Sequence, residues 1–243
     1  MFCAQALYSE RADLVASAIE MLSETYANLG IDVESTRRRL EVVIRIYALG
    51  SMAIRQSEWE TIHKLALQPV PSTPYNKSRI FSSWIRHGQV DASGSEYWSN
   101  RGGFLISAAR DLLVDHPAMR PDVEAGEISP PADQIAPDDI LLNSLCQFDI
   151  AYCFVVAAQG EHQAGFYPSS AGLRDHRPAP IAERIAAMPD VRARLFPGSD
   201  DAEIAVALAR VYEAAERESA NYSTWWDMPY AARQFVENHR EAN

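Results

Sequence analysis

The sequence predicts an all-α fold, a multi-helix array of about nine or ten helices, and three observations lead there. Apolar residues recur at i, i+3, i+4 and i+7 in segment after segment, the spacing that gathers them on one face of a helix. No segment alternates apolar and polar residues convincingly, as a half-buried strand requires. No unit recurs at a fixed period, which removes solenoids and propellers.

Residues 4–28 read as the first helix, with Leu7, Leu14 and Met21 on one line, Val15, Leu22 and Leu29 on its neighbour, and Gly30 as the stop. The second carries Leu40, Val43, Ile44, Tyr47 and Ala48 as a core-facing stripe. Arg37, Arg38 and Arg39 would oppose the helix dipole at its start, so Asp32 is the expected cap, with the arginines a turn inside. A short helix over 58–67 ends at the three prolines of 68–74, which cannot continue it. Helical spacing returns over 77–89 and again at Leu105, Ala108, Ala109 and Leu112, until Pro117.

Residues 119–137 are rich in Pro, Asp and Glu and form the longest stretch without periodicity. They divide the chain into an N-terminal helical half, 1–117, an irregular connection, 118–137, and an acidic C-terminal helical half, 138–243. Asp138 or Asp139 then caps the most apolar helix, 140–158. After an irregular stretch, a helix is expected over 181–188. A turn at Phe196-Pro197-Gly198-Ser199-Asp200 leads to another helix carrying Ile204, Leu208, Val211 and Ala215. Asp200 and Glu203 stand at capping-box spacing. Asp227 and Pro229 suit the start of a last helix.

At 243 residues and 47% hydrophobic content the chain can bury a full core. Its net charge of −11 arises entirely after residue 121. Residues 37–86 instead hold nine Arg and Lys against three Glu. General nucleic-acid binding conflicts with the overall acidity, yet a basic face built from Arg37, Arg39, Arg45, Lys77 and Arg79 is a candidate contact surface for nucleic acid. The three cysteines, Cys3, Cys146 and Cys153, are an odd set, and the last two lie two helical turns apart, about 10 Å, too far for a disulfide. Free thiols and the absence of a basic leader with an apolar run favour the cytoplasm. Asn143, Gln147 and Asp149 interrupt 140–158 too heavily for a lone membrane span, so no membrane partner is expected.

Asp149 is the odd residue of that helix. Helical winding surrounds it with Leu142, Leu145, Cys153 and Val156 and places Asn143, Ser144 and Gln147 on the opposite side. A carboxylate so placed requires a partner, because isolation in an apolar interior costs several kcal/mol or more. Two readings follow: a perturbed acid lining a pocket, or a buried tie to the other half, with a first-half arginine as the expected partner. The second is preferred, since no second catalytic group can be named.

Four phrases, IYALGSMAIRQSEWE (46–60), SSWIRHGQV (82–90), LLNSLCQFDIAYC (141–153) and LFPGSDDAEIAVAL (195–208), resemble the helical C-terminal region of bacterial, largely actinobacterial, ATP-binding proteins of the Schlafen AlbA type. The resemblance implies a helical accessory or sensing region of a larger assembly. It carries no catalytic residue across, because nothing here matches the family's nucleotide- or nucleic-acid-related N-terminal domain.

Other chemistry is thinner. Arg110 and His116 have the Arg-then-His spacing of HEPN-type ribonucleases, as do Arg233 and His239, but this composition yields about one or two such pairs by chance. Glu161, His162, Asp175 and His176 are metal-ligating types at a spacing that matches no compact site, so no metal and no cofactor is expected. Trp84 and Trp98, with Arg79, Arg86 and Arg101 nearby in sequence, are candidate base-stacking platforms, though aromatics at helical spacing are more often core. Trp225 and Trp226 point roughly 100° apart on a helix edge and cannot share one core, so one of them is expected to cover a partner surface. The expected role is therefore non-enzymatic: an interaction, sensing or regulatory module acting through protein partners or self-association.

Overall fold

The computed structural model describes residues 12–28, 33–70, 79–80, 137–159, 180–221 and 227–240. Among them are eight helices: α1 (Ala12–Ala27), α2 (Val33–Gln56), α3 (Trp59–Leu67), α4 (Pro137–Ala158), α5 (Pro180–Ala187), α6 (Pro189–Leu195), α7 (Asp201–Asn221) and α8 (Tyr230–Arg240). The all-α expectation holds for this part of the chain. The expected helix at 105–112 and the 118–137 connection lie outside the described residues, except for Pro137, which opens α4.

Two local expectations change. Within the helix expected over 77–89, β2 (Arg79–Ile80) is extended and pairs antiparallel with β1 (Pro69–Val70), Val70 opposite Arg79. The proline-rich segment after α3 leads into an extended pair rather than a new helix, and the ladder is only two residues long. The second change is α6. Pro189 lacks an N–H, which a first helical position does not need, so it ends α5 and opens a new helix at once.

The helix ends follow from local chemistry. At the start of α7 the Asp200 N–H donates to Glu203 Oε2 at 3.0 Å and the Glu203 N–H to Asp200 Oδ1 at 2.8 Å, the reciprocal box expected from the sequence. The α2–α3 junction is a Schellman turn, with the Glu58 N–H bonded to Ala53 O at 2.8 Å and the Ser57 N–H to Ile54 O at 3.2 Å. Ser57 therefore takes φ 58°, a left-handed conformation that costs a residue bearing a Cβ about 1–2 kcal/mol. Ser57→Gly is expected to raise stability by about 0.5–1 kcal/mol, read from the urea midpoint, part of the relief being offset by a more flexible unfolded chain.

Helix α4 is the axis of the molecule, packed against α2 and α3 on one side of the sequence and α5 and α7 on the other. The buried residues form one cluster running from Val15 to Val236, so the described helices of both halves share a single core. Every residue from Ser144 to Ala157 is buried, which corrects the two-faced reading of this helix. Ser144 and Gln147, placed on a polar far side by sequence, are each 4% exposed, because neighbours cover α4 on more than one face. In α1 the Val15 and Leu22 line faces the core with Ala18 and Ile19, whereas Met21, on the adjacent line, is 40% exposed. No helix among the described residues is long and apolar enough to cross a membrane.

Candidate functional site

The close meeting of α2 and α4 begins with a missing side chain. A Cβ at Gly50 would lie 2.2 Å from Phe148 Cδ2 and Cε2, so only glycine lets the ring occupy that place. Phe148 meets the Tyr47 ring edge-on, 5.4 Å between centroids at 88°, and lies 5.8 Å from that of Tyr152. One turn before Gly50, the Tyr47 hydroxyl donates to Asp149 Oδ1 at 2.5 Å. The tie between halves that the buried acid required is therefore present, and a partner that the structure describes for it is Tyr47. In the sequence Tyr47 reads only as a member of the apolar stripe. A residue with an apolar ring and a polar tip in such a stripe is the signal that could have identified it.

Asp149 is 2% exposed and Tyr47 3%. Burial first, and then the negative charge of Asp149 and its hydrogen bond, raise the Tyr47 phenol well above its ordinary range, so it stays a neutral donor. Cys146 and Cys153, one turn to either side of Asp149, are pushed up by burial and by the same carboxylate. Their thiols remain protonated, and a protonated thiol is neither a nucleophile nor a metal ligand. Tyr212 is raised too, by burial and then Glu183.

These four groups make a pH prediction. Above their ordinary values, 9.0 for the thiols and 10.0 for the phenols, the unfolded chain loses protons that the folded chain retains. The stability these four groups contribute is thus complete below about pH 9 and falls as pH rises, by about 1.4 kcal/mol per pH unit for each group past its ordinary value. Urea midpoints measured from pH 8 to 11 should drop ever more steeply. A flat profile would mean that these side chains are open to solvent.

Two further polar side chains, Gln147 buried and Arg192 partly buried, connect helices. Gln147 Oε1 accepts the Ile181 N–H at 2.7 Å, satisfying a first-turn donor of α5 that no carbonyl of its own helix can reach. At the other end of α5, Arg192 Nη1 donates to the carbonyls of Ile185 and Ala186 at 2.8 and 2.9 Å. Its Nε donates to Asp201 Oδ1 at 2.8 Å, and its guanidinium lies 4.9 Å from the centre of the Phe235 ring. Sequence reading missed this knot because two of its acceptors are backbone carbonyls, which no residue pattern reveals. His63 Nδ1 lies 3.0 Å from Leu195 O, where donation ties α3 to the end of α6, and burial lowers its pKa from the ordinary value.

The remaining candidates fall mostly outside the described residues. Arg110, His116, Lys77, Trp225, Trp226, Glu161, His162, Asp175 and His176 lie outside the described residues. Arg37 and Arg39 fall near the start of α2, Arg45 is exposed on the same helix, and Arg79 belongs to β2. On α8, Arg233 Nη2 donates to Met228 O at 3.5 Å, while His239 Nδ1 lies 2.8 Å from Phe235 O. Among the described residues no group of three or more His, Cys, Asp and Glu is arranged to hold a metal ion. No protein-family model, no curated protein and no solved structure matches the chain.

Proposed function

We propose that this protein is a non-enzymatic helical interaction module acting through self-association or a protein partner. The observation that carries the reading is how three of its buried or partly buried polar side chains are used. Asp149 is held by Tyr47, Gln147 by the start of α5, and Arg192 by the end of α5 and by Asp201. Each of these contacts joins one helix to another. Tyr230, in contrast, is 77% exposed at the start of α8, four residues after the Trp225-Trp226 pair. Exposed aromatic side chains of this kind are enriched at the centres of protein interfaces.

The proposal includes a cytoplasmic location, in which Cys146 and Cys153 stay reduced, and an accessory or sensing role of the kind that the Schlafen AlbA-type resemblance implies. An ATPase-like domain encoded beside this chain would support that part. The surface itself is tested by sedimentation velocity over a concentration series, together with a photo-crosslinking residue at position 230. A concentration-dependent oligomer, or a stoichiometric crosslinked partner, that Tyr230→Ala weakens is the expected result. A monomer throughout that yields no crosslink counts against the proposal.

A further inference from the structure

We infer that α8 is a releasable strap, docked over Arg192 with no described side-chain hydrogen bond to the body and able to open while the rest of the core stays folded. α8 contrasts with every other described helix. α1 is reached by Gln68 Nε2 donating to Ser23 Oγ at 3.5 Å, α2 holds α4 through Tyr47, and α3 holds α6 through His63. Gln147 joins α4 to α5, and Arg192 joins α5, α6 and α7. The hydrogen bonds of the described α8 side chains stay at home: Arg233 to Met228, Gln234 to Glu237, and His239 to Phe235.

What α8 does contribute to its neighbours is an apolar face, Ala232, Phe235 and Val236, laid against α5 and α7. Its electrostatic contacts are the Arg192 guanidinium facing the Phe235 ring and an approach of His239 Nε2 to Asp201 Oδ2 at 3.7 Å, beyond hydrogen-bond reach. The Arg192 knot needs nothing from α8, because all its acceptors belong to Ile185, Ala186 and Asp201. Undocking therefore breaks no described side-chain hydrogen bond between α8 and the body. It leaves the knot intact and bares a cation beside an apolar slot. That uncovered face would suit the interaction reading, but the strap does not depend on it: release is read from amide exchange, association from hydrodynamics.

Hydrogen exchange on the full chain under native conditions tests the strap. The α8 amides are expected to exchange through one common opening, at least about a hundredfold faster than those of α4. Phe235→Ala should accelerate α8 by roughly a further hundredfold while leaving α4 unchanged, since it removes the largest anchor of α8 alone. Protection that instead rises gradually from the ends of α8 to its middle would indicate fraying and overturn the inference. Equal protection of α8 and α4, equal acceleration of both, or failure of Phe235→Ala to fold would overturn it too, because each shows α8 to be part of the cooperative core.

Discussion

Gly50→Ala is expected to destabilise the protein by about 3 kcal/mol or more, the largest loss of any one-carbon change in the described core. Without tertiary contacts the same substitution would help, since alanine is favoured over glycine in a helix interior by about 1 kcal/mol. Packing reverses that sign. The new Cβ would enter the Phe148 ring at 2.2 Å, and the ring is 1% exposed and held between Tyr47 and Tyr152. It has no room to withdraw, so α2 and α4 must separate along the contact that unites the halves. A smaller side chain at position 148 should relieve the clash. Phe148→Leu in the Gly50→Ala background is expected to cost less than Phe148→Leu alone, and chemical denaturation of the four proteins measures that coupling. Simple additivity would show that α2 does not lie on that ring.

The second large effect is at the buried acid. Tyr47→Phe removes only a hydroxyl and keeps the ring packed on Phe148, yet a carboxylate in the core loses a donor. A loss of about 1.5–3 kcal/mol is expected, the range for hydrogen bonds to charged groups. Asp149→Asn preserves an acceptor and should cost less, about 1 kcal/mol. Asp149→Leu should be worse than Asn, because the Tyr47 hydroxyl, itself 3% exposed as part of its residue, would face an alkyl chain. If all three variants match the parent in urea midpoint, Asp149 sits in water and the described packing of α4 is wrong.

Much of this arrangement was legible in the residues, for identifiable reasons. The caps of α7 and the burial demanded by Asp149 are local or periodic features, written within a few positions of one another, whereas of the stripe expected on α2 Tyr47 is buried and Ala48 half-buried, and Val42, Ile46 and Leu49, outside that stripe, are buried with Tyr47. The Asp200 and Glu203 box is a three-residue pattern, and the structure shows both of its hydrogen bonds. What stayed hidden depends on chain segments far apart in sequence. The pairing of Tyr47 with Asp149 spans 102 positions, and Gln147 meets α5 through a backbone N–H that carries no side-chain signature. Burial of α4 on every face from Ser144 to Ala157 likewise depends on how many neighbours surround a helix, and periodicity within it cannot count them. Gly50 is the sharpest case: inside a helical stripe a glycine reads as a weakness, and only the Phe148 ring reveals it as a requirement.

The central claim is that the buried carboxylate of α4 acts as a structural tie to α2 and not as a reaction centre. A double-mutant cycle on Tyr47→Phe and Asp149→Asn, read by equilibrium unfolding, tests it most directly. A coupling energy of at least about 1 kcal/mol is expected, with Tyr47→Phe costing clearly less once Asp149 is replaced by Asn. A coupling indistinguishable from zero, with both single variants as stable as the parent, would contradict it.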